Sequence, residues 1–508
     1  MEDALHRHAR EQGGKTAVVA ANGDARLDYG TLDKQADCVA AFFVGKGMLP
    51  GETIALLCDN AVELVAIWWG ARRAGLYYVP IATHLTAKEI GFIVMDSRAR
   101  SIIASSRHIP ISRMVTEDFA AADLWLATVD EIMSPREAID AIDLRTTPVV
   151  GRELIYSSGT TGQPKGIRRA LAIAESVQEL PVLEQRMRDV FHIDSNTVYL
   201  SVSPLYHATG RFLNRVIEEG GTVVVLAAFD ATNALAAIER HKVTNTQWVP
   251  TMFSRLLALP ASVRQAFDLT SHRHALHAAA PCPERVKRAM LAWWGPIVDE
   301  YYGGTENAGV TFITACEWLD RPGSVGRSIT GAIHIIDEKD GSHEMPVGEV
   351  GLITFEGGVP FTYLNQTSNV GPSTAHGFAG YGDLGHIDSD GYLFISDRRT
   401  DLIVTGGVNV YPKEVERVLE QHPSVAEVAV IGTPNGDLGQ QVHAVVVVHD
   451  GATLVTEDLI SFARTLLSPV KCPRRVDIAA ALPRNENGKL LKRVLREIYS
   501  NEKAASNE

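Results

Sequence analysis

The stretch Tyr156-Ser157-Ser158-Gly159-Thr160-Thr161-Gly162-Gln163-Pro164-Lys165-Gly166 contains a run of residues too small to fill a core. Six successive positions, Ser157 through Gly162, carry glycine or a short hydroxylated side chain. Such residues leave backbone N–H groups open, and glycine admits turns closed to other residues. The stretch is therefore a concave set of donors to which Lys165 adds a point positive charge, and both suit a polyphosphate. The same composition also suits a flexible surface loop, so order and neighbours have to decide. Leu154-Ile155-Tyr156 before it reads as a short strand, and Leu171-Ala172-Ile173-Ala174 after it as the start of a helix. A phosphate loop takes that setting.

The commoner phosphate loop places Lys directly after Gly and follows it with Ser or Thr. Here Pro164 precedes Lys165 and Gly166 follows it, and no dinucleotide-type Gly fingerprint opens an early strand–helix unit. Nearly residue for residue, the string resembles the signature loop of the adenylate-forming (AMP-binding) superfamily, which holds acyl- and aryl-CoA ligases, luciferases and the adenylation domains of peptide synthetases. The resemblance implies that Ser157, Ser158, Gly159, Thr160, Thr161, Gly162 and Lys165 meet the phosphates of ATP. It extends over roughly residues 10–500, because the partner motifs follow in order.

A chain of 508 residues divides into two or more domains, and 45% hydrophobic with 21% charged residues is ordinary globular composition. A net charge of −13 speaks against a nucleic-acid binder. Five scattered cysteines without paired spacing suit reduced thiols in the cytosol and no zinc cluster of the usual kind. The start lacks a secretion signal and no apolar run approaches a membrane span, so the expected location is cytoplasmic. Between Lys471 and Arg496 eight basic residues stand against two acidic ones. That patch suits an anionic ligand, or equally a solvated helix face with a basic tail.

Strand-like and helix-like stretches alternate through the first 400 residues: Thr53–Leu57 then 62–74, 222–227 then Ala231–His241, and a short strand from Val298. The alternation predicts an α/β body. After the polar segment 396–401 the pattern restarts, with a helix opened by Pro412 and strands at 428–431 and 442–448. A helix follows at 457–467. The expected fold is thus α/β, with a large multi-sheet N-terminal domain (1–397) joined by a hinge to a small α+β domain (398–508). The resemblance implies that the small domain is mobile.

Tyr302-Gly303-Gly304-Thr305-Glu306 follows the Val298 strand. A carboxylate beside phosphate is unfavourable unless a cation stands between them, so Glu306 suggests a Mg²⁺ ligand. Tyr302 offers a flat face to a purine, although a turn with a surface Glu would look the same. The resemblance implies adenine stacking by Tyr302, phosphate contact by Thr305 beside Gly303, and metal binding by Glu306. Ala278-Ala279-Ala280-Pro281 resembles the loop lying along the adenine and acyl group, though an Ala run also suits a packed helix. Pro204-Leu205-Tyr206-His207 resembles the aromatic gate beside the acyl carboxylate; a single His is more often structural. Asp383 and Arg398 match the ribose-binding pair. Pro483-Arg484-Asn485-Glu486-Asn487-Gly488-Lys489 resembles the last motif, whose Lys enters the active site during adenylation. The chemistry asks for such a cation, because a carboxylate attacking the α-phosphorus brings two anions together.

Three departures accompany these matches. Asp397 stands where Gly is usual before the hinge Arg, Thr400 where Asp or Lys is typical, and Asn365–Phe378 lacks the usual Thr-Ala-Glu/Lys pattern. Gly406-Gly407 is retained, and in the family this stretch lines the tunnel for the pantetheine thiol. The implied activity is a two-step ligase reaction using ATP and Mg²⁺, with Lys489, Lys165, Glu306 and His207 in the catalytic set and CoA as acceptor. An amine acceptor is the alternative. A silent binding protein of the same fold is a third reading, against which the retained Lys165, Glu306 and Lys489 stand. His207, Trp248, Val249, Phe253, Gly303 and Gly304 are expected around the acyl group and suggest an aryl or medium-sized cyclic acid.

Overall fold

A computed structural model describes residues 3–118, 124–134, 149–157, 164–173, 182–207, 210–338, 340–357, 362–365, 377–406, 408–436, 438–485, 488 and 490–505. Near the N-terminus Thr53–Leu57, buried at every position, is the central strand of a five-stranded sheet whose strands all run parallel. A continuous apolar run is what a strand covered on both faces requires. The following helix, Val62–Arg73, carries Arg72 and Arg73 in its last turn, where cations complement the helix dipole.

The main sheet has thirteen strands. At its centre Thr222–Val225, Val198–Ser201, Asn245–Trp248, His274–His277 and Val298–Gly303 lie side by side, all parallel. Beyond Val298–Gly303 the pairing turns antiparallel through Val310–Ile313, Ser324–Ser328, Leu393–Arg398 and Asp383–Ile387. Parallel strands share a carboxyl edge, and in open α/β sheets ligands bind along that edge. Here the edge carries Pro204–His207, Val249, Ala278–Pro281 and Gly304–Glu306, each just after the end of its strand.

The glycine-rich loop differs from its expected setting. Ile155–Ser157 and Lys165–Arg168 pair antiparallel, with Lys165 opposite Ser157 and Gly166 opposite Tyr156. The loop therefore closes a hairpin rather than joining a strand to a helix. Ala172–Ile173, read as a helix start, is a two-residue strand pairing with Val149–Val150. A two-residue strand carries too little local pattern to reveal itself; its state is set by a partner more than twenty positions upstream. The Ala278–Ala280 run is likewise not helical. It follows the His274–His277 strand as an irregular bend, with Ala279 at φ +71°, a left-handed conformation uncommon outside glycine.

The last strand of the main sheet, Leu393–Arg398, takes up half of the segment read as a polar linker. A short 3₁₀ turn, Arg399–Asp401, then leads into a separate five-stranded sheet. That sheet contains Ile403–Thr405, Val408–Val410, the long hairpin Val425–Asn435/Gly439–Val448, and Arg475–Ile478. Helices Pro412–Leu419, Thr456–Leu466 and Lys492–Ala505 accompany it. It has its own core, among others Ile403, Val410, Val415, Leu419, Val430 and Leu459. No buried apolar cluster among the described residues joins side chains from both sides of the Arg399–Asp401 turn.

Candidate active site

Lys165 opens the second strand of the glycine hairpin, and its Nζ lies 5.4 Å from the centroid of the Tyr363 ring. Tyr363 arrives there because Thr362–Tyr363 pairs with Lys165–Arg168, setting Tyr363 opposite Ile167. Its hydroxyl donates to Glu306 Oε1 at 3.2 Å. Burial and the Glu306 carboxylate both push that hydroxyl's pKa up, so it stays a donor. Glu306 itself projects from a turn closed by the Asn307 N–H donating to the Gly304 carbonyl, 3.1 Å. A cation and a carboxylate 141 positions apart in sequence thus face one phenol. Tyr363 was not foreseen; it owes its place to long-range strand pairing, which leaves no local sequence signal.

A second group forms around Asp383. This buried carboxylate accepts the Tyr302 hydroxyl at Oδ2, 2.7 Å, and pairs through Oδ1 with Arg398 Nε at 3.1 Å. Asp383 and Arg398 are direct partners in neighbouring antiparallel strands, so the sheet register itself makes the pair. Desolvation first, and the Asp383 charge next, hold the Tyr302 hydroxyl well above its ordinary pKa. Tyr381 meets the Tyr302 ring edge-on, with centroids 5.6 Å apart. It is locked by its hydroxyl donating to the Gly309 carbonyl at 2.6 Å and accepting the Gly309 N–H at 3.0 Å. Gly304 makes this possible: a Cβ there would overlap the Tyr381 ring and come within 2.9 Å of Glu306 Oε2. The room beside Gly304 is thus taken by protein. Gly303 ends its strand against Val310, and Thr305 lies next to it in the same turn.

Beneath these loops sits a buried charge pair that sequence reading missed. Lys287 Nζ lies 2.6 Å from Glu300 Oε2, with the Lys side chain fully buried over the Trp318 ring. His277, paired in register with Glu300, approaches the same oxygen at 3.4 Å. Burial, then the Lys287 charge, drive its pKa well below the ordinary value, so it is neutral. His277 immediately precedes Ala278, and Glu300 stands two residues before Tyr302. The pair therefore fixes the roots of both loops. Ala278 is further tied down by its N–H donating to the Trp248 carbonyl, 3.3 Å, and Ala279, Ala280 and Pro281 follow along the edge.

The residues expected around the acyl group divide. His207 lines a pocket of about one water's volume with Trp68, Tyr78, Pro80, Glu153, Ile155, Leu205 and Asn214. Trp248, Val249 and Phe253 belong instead to the core packed under the Pro250–Leu257 helix, where the Trp248 ring lies 5.3 Å from Trp294 and its N–H donates to Thr246 Oγ1 at 2.5 Å. Ser157 is the last residue of its strand, whereas Ser158, Gly159, Thr160, Thr161 and Gly162 lie outside the described residues, as do Gly407 and Lys489. Two neighbours of Lys489 and Gly407 are informative. Gly488, at φ +69°, lies so close to Thr251 of the Pro250–Leu257 helix that a Cβ would overlap the Thr side chain. Gly488 of the small domain is thus docked beside the carboxyl edge of the main sheet. There Arg484 Nη1 donates to the Gly488 carbonyl at 2.7 Å. Gly406, at φ +57°, turns the hairpin after Thr405, its N–H donating to the Leu438 carbonyl at 2.9 Å, and Thr400 is exposed in the connecting turn.

Residues 5–361 match the family described as AMP-binding enzyme, and residues 414–489 match the AMP-binding enzyme C-terminal domain. Among characterised relatives, a methyl-dioxo-octahydro-indenyl-propanoyl:CoA ligase from Rhodococcus jostii is 32% identical, covering 97% of this chain and 98% of its own. The crystal structure of ATP-bound MatB from Rhodopseudomonas palustris superposes with a TM-score of 0.84 at 29% identity over 99% of each chain. The amide bond synthetase McbA from Marinactinospora thermotolerans superposes with a TM-score of 0.82 at 25% identity, covering 98% of this chain and all of its own. No helix among the described residues is long and apolar enough to cross a membrane.

Proposed function

The chain belongs to the family of AMP-binding enzymes, and from that premise we propose that it is an AMP-forming acid–CoA ligase. It activates a carboxylic acid with ATP and then transfers the acyl group to CoA. One observation carries the proposal. Gly488 of the small domain docks beside the main-sheet edge that carries Glu306 and the Tyr302–Asp383–Arg398 group, and the glycine hairpin joins that edge through Lys165 and the Tyr363–Glu306 bond.

In the first step an oxygen of the substrate carboxylate attacks the α-phosphorus of ATP, and the bond to the pyrophosphate oxygen breaks. Asp383 and Arg398 take the ribose hydroxyls, Tyr302 and the Ala279–Pro281 backbone flank the adenine, and Lys165 with the hairpin N–H groups takes the leaving phosphates. Lys489, one residue beyond the docked Gly488, bridges attacking carboxylate and α-phosphate. The donor set at Glu306 suits Mg²⁺: a hard carboxylate oxygen, supported by a phenol, beside a phosphate loop. The described residues hold no cluster of three ligating side chains, so such an ion would take its other oxygens from ATP and water. When bound, it would neutralise charge on the leaving pyrophosphate. In the second step the small domain turns about Thr400, Lys489 withdraws, and the CoA thiolate attacks the acyl carbonyl with AMP leaving. Gly406 and Gly407 then face the pantetheine. The bicyclic acid named for the Rhodococcus relative favours an aryl or medium-sized cyclic acid.

ATP–pyrophosphate exchange across a panel of aryl, cyclic and long-chain acids tests the reading. Exchange peaking with a cyclic acid, and CoA-thiol loss in the full reaction, are expected. Silence with every acid would overturn adenylation. Amide products with CoA left unconsumed would overturn the acceptor in favour of the amine reading, which the likeness to McbA keeps in view.

A further inference from the structure

The helix Pro412–Leu419 starts the small domain's helical layer without a cap of its own. Tyr411 stands at the N-cap position and makes no side-chain cap bond, and Pro412 has no N–H to offer. The first unsatisfied donor is therefore the N–H of Lys413. It donates to Oδ2 of Asp397 at 2.8 Å, while Oδ1 of the same carboxylate accepts the N–H of Arg398 at 2.8 Å. Asp397 belongs to the Leu393–Arg398 strand of the main sheet, on the other side of the Arg399–Asp401 turn. Only 4% of its surface is exposed. Three further charges face it from the small domain: the ammonium groups of Lys492 and Lys413, and the Glu416 carboxylate that Lys492 grips at 2.8 Å. A carboxylate at a helix N-terminus is favoured by the dipole as well as by the hydrogen bond.

We propose that Asp397 is a positioning residue for the adenylation step: it caps the Pro412–Leu419 helix across the hinge and so holds the small domain where Lys489 reaches the substrates. The inference rests on the two-pose reading given above. Its logic is that a cap supplied by the other domain exists only while the domains are docked. When the small domain swings, the Lys413 N–H and the Asp397 carboxylate both return to water, where each finds partners at little net loss. The contact is thus strong enough to select a pose and weak enough to release it. A side chain without an acceptor at position 397 cannot do this, whatever its size.

The test separates the half-reactions. Asp397→Ala and Asp397→Asn are compared with the unaltered chain in pyrophosphate exchange, using the acid that exchanges fastest in the panel. The second step is followed separately, from the matching synthetic acyl-adenylate and CoA. Loss of a hydrogen bond to a charged acceptor predicts exchange slower by roughly tenfold or more for Asp397→Ala. Asp397→Asn, which keeps one acceptor oxygen, should lie between. The second step should be unchanged or faster in both. Tryptic cleavage at the exposed Arg399 should quicken in the same order as exchange slows. Equal losses in both half-reactions, or no loss in either, would overturn the proposal. Absence of exchange in the unaltered chain would instead overturn the adenylation reading itself.

Discussion

The roots of the nucleotide loops and the seam between the domains are both held by charges, yet by opposite means. At the roots, Lys287 is fully buried against Glu300 at 2.6 Å, with Trp318 and His277 closing around the pair. At the seam, Arg285 Nη2 donates to the Ala426 carbonyl at 2.7 Å, Asp397 accepts the Lys413 N–H, and Gly488 abuts Thr251. No apolar cluster of the described residues crosses that seam. A buried ion pair broken on one side leaves a stranded charge, so its elements cannot separate. A backbone donor and a carboxylate that both regain water on parting exchange partners at small net difference, so their elements can. The first region is built to stay and the second to leave.

The largest effect should come from breaking the fixed region. Lys287→Met strands the Glu300 carboxylate, and about 3–5 kcal/mol of stability should be lost in urea unfolding. Lys287→Met with Glu300→Leu should recover most of it, since no charge is then left unpaired. A single-mutant loss under about 1 kcal/mol would mean that the pair does not anchor these loops. The seam should respond differently, in rate rather than stability. Lys489→Ala should slow adenylation by roughly 10²–10³-fold with little change in the unfolding midpoint. Gly488→Ala should approach that loss, because its Cβ meets Thr251 and L-residues rarely adopt φ +69°. Adding Thr251→Ala should restore part of the rate. If it restores none, the backbone conformation and not the contact is what matters.

These two regions were unequally legible. The carboxyl-edge site announces itself through short strings with chemistry at fixed positions: Tyr302 to Glu306, and Asp383 with Arg398, which the sheet register pairs. The Ala231–His241 helix and the start of the helix opened by Pro412 follow from apolar periodicity and Pro placement, although the latter, expected to reach His422, ends at Leu419. Most of what could not be read depends on pairing between distant segments. The arrival of Tyr363 opposite Ile167 and the locking of Tyr381 by Gly309 need segments far apart in the chain to find their register, whereas the hairpin at the glycine loop joins near neighbours whose strands are too short to carry a readable pattern. Lys287 looked like any charge on an amphipathic helix. Only the sheet beneath it, with Glu300 facing inward, turns it into a buried partner. Trp248 shows the reverse error source: an aromatic near a motif belongs to whichever face the strand gives it, here the core.

Tyr363 sharpens the comparison within the fixed region, since it joins phosphate-side groups by a partly exposed bond. Tyr363→Phe keeps the ring under Lys165 and removes only the donor to Glu306. About 1 kcal/mol, or roughly fivefold, should be lost. It should be read as a raised KM for ATP and a raised Mg²⁺ requirement, with unfolding unmoved. A loss confined to kcat at saturating ATP and Mg²⁺ would place the phenol in the chemical step instead.

The smallest effect tests whether the seam is linked to protons. Glu420 follows the Pro412–Leu419 helix, half-buried and within the field of the main domain's Arg285. Its carboxyl is pushed up to about 7, by burial first and the Glu416 charge next, against the pull of Arg285 and Arg417. Released from the seam, it should return toward 4.5. The docked pose then binds the extra proton between those values. Docking is unpenalised below about pH 4.5, weakens steadily as pH rises through 7, and is constant above that. Glu420→Gln is neutral throughout and mimics the protonated form, so its adenylation rate relative to the unaltered chain should climb from pH 5 to 7 and level off beyond. Because Glu420 is only partly buried, the gain should be a few-fold and no more. A ratio flat from pH 5 to 8 would show that Glu420 keeps its solvent contact when docked. The seam would then be held by the Asp397, Arg285 and Gly488 contacts without a proton in the balance.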